Sequence, residues 1–209
     1  KRARAVGQTD GRTFDRIASP YDRGMAPLEK LALRSLRSRL VPHARGSVLE
    51  VGVGTGANLP YYPTSTCVTA IDESPDMLAV AARRAKTLGN CVSLGLMDVE
   101  SLAFPSGQFD TVVASLVFCS VVDQPRALGE LRRVMHRPGG RLLLLEHMRP
   151  HSRPLTWMAD LLNIPWYAFN GRCNLNRETQ QAVVHAGFEL EQVESVLGGL
   201  VRLIIARAT

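Results

Sequence analysis

The sequence of 209 residues is 45% hydrophobic and 21% charged, which suits one folded domain with a substantial core. This composition excludes a wholly disordered chain. No uninterrupted apolar run approaches the roughly 20 residues that a membrane-spanning helix needs. The start of the sequence also lacks the apolar stretch of a signal peptide.

The net charge of +6 is concentrated at one end of the chain. Residues 1–45 hold 11 Lys and Arg against 4 Asp and Glu, whereas residues 46–209 hold 14 against 15. We therefore separate a basic N-terminal tail and lid helix, residues 1–45, from a main domain, residues 46–209. A basic arm favours an acidic partner, either nucleic acid or an anionic membrane surface. The alternative is a helix whose basic face is simply hydrated.

A helix is predicted from about residue 27 to residue 41, with a proline in its first turn. Its side chains segregate at helical spacing, which makes it basic on one side and apolar on the other. The basic face carries Lys30, Arg34 and Arg37, and the apolar face carries Leu33, Leu36 and Leu40.

Strands and helices alternate through the middle of the chain, which indicates an α/β domain with a parallel sheet. A helix is predicted after the second strand, with Ser74 as its N-cap and Pro75 at the first helical position. Near the C-terminus, two strands flank Gly198-Gly199 and predict a β-hairpin. The predicted strands cover residues 47–51, 67–71, 91–96, 109–116, 141–145, 188–196 and 200–206.

Four cysteines are scattered along the chain without a Cys-x-x-Cys pair or a histidine at zinc-ligand spacing. Cys67 and Cys91 fall in predicted strands, where a reduced cysteine packs as a small hydrophobic residue. We therefore expect reduced cysteines, a cytoplasmic location and no metal. Cys119 and Cys173 are interpreted as packing or pocket-wall residues.

A strand followed by alternating glycines is the strongest local motif. Residues 48–51 read as a buried strand, and Gly52, Gly54 and Gly56 follow at alternate positions. Glycine suits a loop whose backbone turns tightly and approaches a ligand closely. Such loops also bind dinucleotides and phosphates. The carboxylate of Glu50 would repel a pyrophosphate but would suit a cationic ligand.

Two further carboxylates follow the next two strands. Asp72 ends the second strand, where an acidic residue can accept both hydroxyls of a ribose. Asp98 follows the third strand, where it can accept a hydrogen bond from an exocyclic amine. Three carboxylates, with no Lys or Arg in the loop to hold phosphates, point to S-adenosylmethionine as the ligand.

The whole set resembles the class I S-adenosylmethionine-dependent methyltransferases. The motifs occur in that family's order: the glycine loop, Asp72, Met97-Asp98-Val99, residues 109–113 and Arg137-Pro138-Gly139-Gly140. The resemblance implies a doubly wound, seven-stranded, mostly parallel sheet with a C-terminal antiparallel hairpin. It also implies a cofactor site formed by Tyr21, Glu50, Gly52, Gly54, Gly56, Asp72, Met77, Asp98, Val99, Ser115 and Leu116.

The acceptor of the methyl group is harder to predict. The chain has Ser115-Leu116-Val117-Phe118 where adenine and amide N-methyltransferases carry an Asn/Asp-Pro-Pro-aromatic motif, so a nucleic-acid substrate is disfavoured. The segments at 116–121, Glu146-His147 and 170–179 resemble thiol methyltransferases, which narrowly favours a small lipophilic thiol. Resemblance to phospholipid N-methyltransferases and to quinone C-methyltransferases leaves both as alternatives. The phospholipid alternative would use Lys30, Arg34 and Arg37 for peripheral contact with an anionic membrane.

A thiol acceptor would need little catalytic assistance, because its thiolate is a strong nucleophile. His147, at the end of the fifth strand, is a candidate general base. Aromatic residues of the following segment are candidates to roof an apolar pocket. The predicted pocket residues are Phe118, Cys119, Trp157, Trp166, Tyr167 and Cys173.

Overall fold

A computed structural model of the chain describes residues 33–89, 91–170 and 173–209, without the side chains at 166 and 168–170. Tyr21 and Lys30 lie outside the described residues, as does the side chain of Trp166. Within the described part, no helix is both long and apolar enough to cross a bilayer. The α-helices described are α1 (Arg34–Leu40), α2 (Pro75–Leu88), α3 (Gln124–Val134), α4 (Arg153–Asn170) and α5 (Thr179–His185).

Seven strands form one sheet in the order β3-β2-β1-β4-β5-β7-β6. All neighbouring strands pair in parallel except β5 with β7 and β7 with β6, which pair antiparallel. The predicted fold and its closing hairpin are therefore confirmed. The strands are β1 (Val48–Val51), β2 (Val68–Asp72), β3 (Val92–Leu96), β4 (Thr111–Ser115), β5 (Arg141–His147), β6 (Phe188–Val196) and β7 (Val201–Ala208).

Two apolar clusters, one on each face of the sheet, form the core. The central strands are apolar on both sides, and Leu142 and Leu143 of β5, neighbours in sequence, belong to different clusters. A strand covered by helices on both faces needs such a continuous apolar run. Helix α2 begins as predicted: the Ser74 hydroxyl accepts a 3.2 Å hydrogen bond from the Met77 N–H.

Helix α1 only partly agrees with the predicted basic amphipathic helix. Leu36 and Leu40 are buried against the sheet and Arg34 is exposed, as expected. Arg37, however, is 6% exposed, and its guanidinium donates a 2.7 Å hydrogen bond to the Asn58 side chain. The assignment of Arg37 to a membrane-facing surface is therefore wrong, because the helix turns this side chain into the protein.

Cys67 and Cys91 form a disulfide, so the prediction that all cysteines are reduced is wrong for this pair. Each cysteine directly precedes one of two neighbouring parallel strands, whose register pairs Val68 with Val92. This register brings the two Cα atoms to 4.6 Å from each other. The 24-residue separation contains no signal of this proximity, which depends on how β2 and β3 align.

Removing the disulfide should destabilise the protein. A Cys67→Ser/Cys91→Ser variant is expected to lose about 3 kcal/mol of unfolding free energy, because the bridge closes a loop of 24 residues in the unfolded chain. Denaturant unfolding with and without a reductant measures this effect. The reductant should lower the midpoint of the unmodified protein and leave the double-serine variant unchanged. Equal midpoints for the unmodified protein under both conditions would contradict the prediction.

Candidate active site

A cavity opens at the carboxyl ends of β1, β2 and β4. From β1, the sheet continues to β2 and β3 on one side and to β4 on the other, and ligands of open α/β sheets bind at such a change of direction. The lining includes nine of the eleven residues predicted to bind the cofactor. These nine are Glu50, Gly52, Gly54, Asp72, Met77, Asp98, Val99, Ser115 and Leu116.

The three glycines of the loop after β1 have different roles. Gly54 has φ +53°, and a Cβ there would meet no atom within 4 Å, so its backbone borders open space in the cavity. A Cβ on Gly52 would instead lie 2.4 Å from a methyl carbon of Val117. Gly56 faces Leu59, where a Cβ would lie 2.8 Å from Cδ1. Gly56 therefore permits packing of the loop and is not among the residues that line the cavity, and its contact with the cofactor stays a prediction.

Asp72 holds the glycine loop to the end of β2. One carboxylate oxygen accepts a 2.7 Å hydrogen bond from the Gly54 N–H, and the other accepts a 2.9 Å bond from the Ser74 N–H. Charged acceptors of backbone N–H groups make comparatively strong hydrogen bonds. The side chain therefore fixes the loop conformation and also faces the cavity.

Glu50 is buried in a polar network beside the cavity. Its carboxylate accepts hydrogen bonds from the Asn58 amide and the Tyr62 hydroxyl, both at 2.9 Å. Arg37 donates to the same Asn58 side chain. Burial raises the pKa of Glu50 from 4.5 to about 7, although both hydrogen bonds oppose the shift. The carboxylate is thus poised to gain or lose its charge near neutral pH.

Leu116 has an unusual backbone conformation at the end of β4. Its φ of 60° lies in the left-handed region, which costs a residue with a branched side chain of order 1 kcal/mol or more. Its N–H donates a 2.7 Å hydrogen bond to the carbonyl of Leu145. Beside it, the Ser115 hydroxyl accepts a 3.0 Å bond from the Asn58 amide. The strand therefore ends in a constrained turn that faces the cavity.

The cavity wall is acidic, which suits a cation. Five carboxylate side chains line it, and among the described lining residues Arg37 is the one cation. Sequence reasoning missed Arg37, Asn58, Glu73 and Glu100, because no local motif marks them. The acidic residues are Glu50, Asp72, Glu73, Asp98 and Glu100.

Comparison with known proteins identifies the family. Residues 49–144 match the model of a methyltransferase domain. The chain is 32% identical over 184 residues to human thiol S-methyltransferase TMT1A, an alignment that covers 84% of this chain and 73% of TMT1A. The chain belongs to the class I S-adenosylmethionine-dependent methyltransferases. Its cofactor is therefore S-adenosylmethionine.

Other relatives of this methyltransferase differ in their acceptors. A phosphatidylethanolamine N-methyltransferase of Cereibacter sphaeroides is 40% identical over 126 residues, covering 58% of this chain and 62% of the relative. A demethylmenaquinone methyltransferase of Thermus thermophilus is 39% identical over 106 residues, covering 49% and 48%. The chain thus spans less than two thirds of either relative. A solved S-adenosylmethionine-dependent methyltransferase of Thermotoga maritima shares the fold, with a TM-score of 0.72, 21% identity and coverage of 95% and 99%.

The cavity of this methyltransferase has the chemistry that S-adenosylmethionine requires. A sulfonium cation suits the acidic wall, and an open glycine backbone at Gly54 leaves space for close approach. Asp98 is exposed at the mouth, where one carboxylate oxygen already accepts a 2.8 Å bond from the Glu100 N–H. The residues that line the cavity therefore match the positive charge of the cofactor and leave room for it beside Gly54.

The predicted aromatic roof does not line the cofactor cavity in the described residues. Phe118 is fully buried in the core, whereas Trp157 is 69% exposed and Tyr167 is 46% exposed on α4. None of these three residues lines the cofactor cavity, and their contact with an acceptor stays a prediction. Trp157 and Tyr167 instead belong to an exposed apolar face of α4, together with Met158, Leu161, Leu162 and Ile164.

The other predicted acceptor-site residues do come together. One side-chain ligand atom from each of Cys119, His147 and Cys173 lies within 4.8 Å of the other two. The cysteines are therefore not scattered in space, although they are scattered in sequence. A side-chain hydrogen bond with the neighbouring Cys173, together with burial, raises the pKa of the Cys119 thiol well above its usual value. Cys119 is consequently not an ionised nucleophile by itself.

Glu146 fixes the loop that carries Cys119. Its fully buried carboxylate accepts hydrogen bonds from the N–H groups of Val117, Phe118 and Cys119 at 2.7, 3.0 and 3.3 Å. Burial raises the pKa of Glu146 to about 7, against the effect of these bonds. The sequence signal for this role is a charged residue directly after the apolar run at 142–145, within β5. The prediction of site residues made no use of it.

Proposed function

We propose that this methyltransferase methylates the sulfur of a small lipophilic thiol. The observation that carries the proposal is its similarity to thiol S-methyltransferases. Human TMT1A is 32% identical, and human TMT1B is 34% identical over 154 residues. The chain spans 73% and 62% of their respective lengths.

The cofactor site that we propose consists of the nine predicted residues that line the cavity, beginning with Glu50 and the glycine loop. S-adenosylmethionine supplies a methyl group activated by attachment to a positively charged sulfur. The chain then has to bind the cation, align the acceptor and keep water away. Asp72 and Asp98 offer acceptors for the hydroxyl and amine groups of the adenosine. The place of Tyr21 in the cofactor site remains a prediction.

The acceptor side of the cavity is suited to a lipophilic molecule. Leu116, Val117, Val121 and Val122 line it. A thiol has an ordinary pKa of about 8.5, so a fraction is already ionised at neutral pH. An apolar wall lets such a nucleophile lose its hydration without competing hydrogen bonds from the protein.

Helix α4 is joined to the segment that carries Cys173. The Asn163 side chain accepts a 2.8 Å hydrogen bond from the Leu175 N–H, and Asp160 accepts a 3.0 Å bond from the Asn176 amide. These hydrogen bonds place the helix that carries the exposed apolar face next to the segment that carries Cys173. This arrangement supports an acceptor that arrives from an apolar environment.

An N-methyltransferase acting on phosphatidylethanolamine is the second candidate. The similarity to the Cereibacter sphaeroides enzyme favours it, and an exposed apolar helix face would suit a lipid surface. Of the three basic residues first assigned to membrane contact, Arg34 is exposed and Arg37 is buried. A membrane contact would therefore depend more on α4 than on a continuous basic stripe of α1.

An acceptor panel tests the proposal. The panel contains an alkyl thiol, phosphatidylethanolamine in vesicles, a quinol and a phenol, and release of S-adenosylhomocysteine is measured for each. We expect turnover of the thiol to exceed that of every other acceptor by about tenfold or more, equivalent to about 1.4 kcal/mol of transition-state energy. Faster turnover of phosphatidylethanolamine, with flotation of the protein on vesicles, would establish the second candidate instead. Faster turnover of the quinol or phenol would also contradict thiol methylation.

A further inference from the structure

Cys119, His147 and Cys173 come from three separate parts of the chain. Cys119 lies in the turn after β4, His147 is the last residue of β5, and Cys173 follows α4. The Sγ of Cys173 lies 3.6 Å from Nδ1 of His147. A tetrahedral zinc ion, with bonds of about 2.3 Å to sulfur and 2.0–2.1 Å to nitrogen, places such atoms about 3.6 Å apart. The pair of Cys173 and His147 is thus at ligand spacing, and ligand atoms of all three side chains lie within 4.8 Å of one another.

Hydrogen bonds hold the two cysteine segments together. The carbonyl of Cys119 accepts a 2.9 Å bond from the Asn174 N–H and a 3.1 Å bond from the Asn174 side-chain amide. The carboxylate of Glu146 accepts a hydrogen bond from the N–H of Cys119. Groups that orient ligands in this way are typical of metal sites, whose affinity depends on them. The arrangement therefore does not have to form around a metal ion.

The composition of the cluster matches a particular metal. Two cysteines and a histidine are the protein ligands of catalytic zinc sites that leave the fourth position to a small molecule. Cys119 and His147 are 1% and 7% exposed. Two thiolates would neutralise a divalent cation, which a buried site requires. Softer thiolate and imidazole ligands disfavour Mg²⁺ and Ca²⁺.

The cluster adjoins the cofactor cavity. The Ser120 hydroxyl lies 3.6 Å from the Sγ of Cys119, and Ser120 is a lining residue of that cavity. Cys173 is only partly buried. The side chain of Ser120 therefore lies between the Sγ of Cys119 and the cavity in which methyl transfer would take place.

We propose that Cys119, His147 and Cys173 bind a Zn²⁺ ion whose fourth position takes the sulfur of the acceptor thiol. The fourth ligand rests on the proposed thiol acceptor, whereas the three protein ligands do not. Binding of Zn²⁺ releases the thiol protons of Cys119 and Cys173 to solvent. Coordination of the acceptor likewise breaks its S–H bond: the electron pair stays on sulfur, and the proton leaves to solvent. A coordinating thiol is deprotonated in this way at neutral pH. His147 then serves as a metal ligand rather than as a general base.

The first experiment measures Zn²⁺ binding to the full chain after removal of any affinity tag. Metal-free, reduced protein is titrated with Zn²⁺ against a chromophoric chelator. We expect one ion per chain. The affinity should fall by more than about 100-fold in Cys173→Ser and in His147→Gln, because each change removes a ligand and even the loss of a group that orients a ligand costs about 10- to 100-fold. His43→Gln, at an exposed position, is the matched control and should bind as the unmodified protein does. Because Cys173 is partly exposed, its serine variant should fold even if changes at buried His147 do not.

Two results would overturn the zinc site. One is the absence of stoichiometric binding, and the other is equal affinity in the unmodified protein and Cys173→Ser. Mass spectrometry of the protein purified without reductant adds a third test. A disulfide between Cys119 and Cys173, together with no Zn²⁺ uptake after reduction, would assign the pair to redox chemistry instead.

The second experiment tests the fourth position without the cofactor and without turnover. Co²⁺ replaces Zn²⁺ as a spectroscopic probe, and an alkyl thiol is added. The expected result is a change in the Co²⁺ visible bands with added sulfur-to-metal charge transfer, but no change with the corresponding alcohol. Unchanged bands would overturn acceptor coordination. If the acceptor panel shows no thiol methylation, the proposed function fails while Zn²⁺ binding stands. If metal-free protein methylates thiols at the full rate, the function stands and the catalytic role of zinc fails.

Discussion

A Glu50→Gln variant should bind S-adenosylmethionine about tenfold more weakly at pH 8, or about 1.4 kcal/mol, and bind S-adenosylhomocysteine as before. The physical reason is charge, because the first ligand carries a sulfonium and the second does not. Glutamine can keep the local hydrogen bonds: its oxygen can accept from Asn58, and its amide can donate to the Tyr62 hydroxyl. Calorimetric titration with each ligand measures the difference.

The raised pKa of Glu50 adds a pH signature to this experiment. Since its pKa is about 7, the carboxyl is mostly neutral below pH 7 and charged above it. Affinity for S-adenosylmethionine should therefore rise between pH 6 and pH 8 in the unmodified protein, and this rise should be smaller in Glu50→Gln. Tyr62→Phe is a companion variant, because it removes a hydrogen bond that opposes the raised pKa of Glu50. In that variant the rise in affinity should therefore move to higher pH. Equal losses of affinity for both ligands in Glu50→Gln would show that Glu50 acts through packing instead.

The same shift affects stability in the opposite direction. The pKa of Glu50 is raised in the folded chain from an ordinary value of 4.5. Between pH 4.5 and pH 7 the folded state therefore binds more protons than the unfolded state, and its stability decreases as the pH rises. Glu146 has the same pKa shift and contributes in the same direction. Glu50→Gln removes the contribution of Glu50 to this decrease.

Asp72→Asn should have the larger effect on cofactor binding. The two carboxylate oxygens of Asp72 accept hydrogen bonds from the N–H groups of Gly54 and Ser74. In asparagine one of these oxygens is replaced by an NH₂ group, which would face one of the two N–H donors and could not accept its hydrogen bond. We expect a loss of about 2 kcal/mol in stability, together with an affinity about 100-fold lower for both S-adenosylmethionine and S-adenosylhomocysteine. The affinity should fall equally for both ligands, because both contain the same adenosine group.

Thermal unfolding and ligand titration measure the two effects of Asp72→Asn separately. Asp76→Asn is the control, because it removes the same charge from an exposed position in the first turn of α2. That variant should keep its cofactor affinity. Unchanged affinity for both ligands in Asp72→Asn would contradict a role of this carboxylate in binding the cofactor.

The strands and nine of the residues that line the cavity could be predicted because their signals are local. A strand followed by Gly52 and Gly54, or one that ends at Asp72, is recognised within a few residues. The parallel topology then brings the ends of β1, β2 and β4 to the same edge of the sheet. Nine of the eleven predicted cofactor residues consequently line one cavity, although the prediction used no information on long-range contacts.

Contacts between distant segments could not be predicted in this way. Arg37 is on a helix that looks basic and amphipathic, but it is buried against Asn58, 21 residues later. The aromatic residues of α4 looked like pocket walls, because composition does not tell which face of a helix is covered. Trp157 lies on the uncovered face.

Hydrophobic periodicity, helix caps and glycine spacing are properties of short segments, so the sequence by itself determined the α/β class, the order of the elements and the glycine loop after β1. The tertiary structure decided which side chains meet across strands and turns. The register of β2 and β3 joins Cys67 to Cys91. The packing of the segments that follow β4 and α4 against the end of β5 brings Cys119 and Cys173 close to His147. These pairings depend on the alignment of segments separated by 24 to 54 residues, and no local pattern of hydrophobicity or charge encodes that alignment.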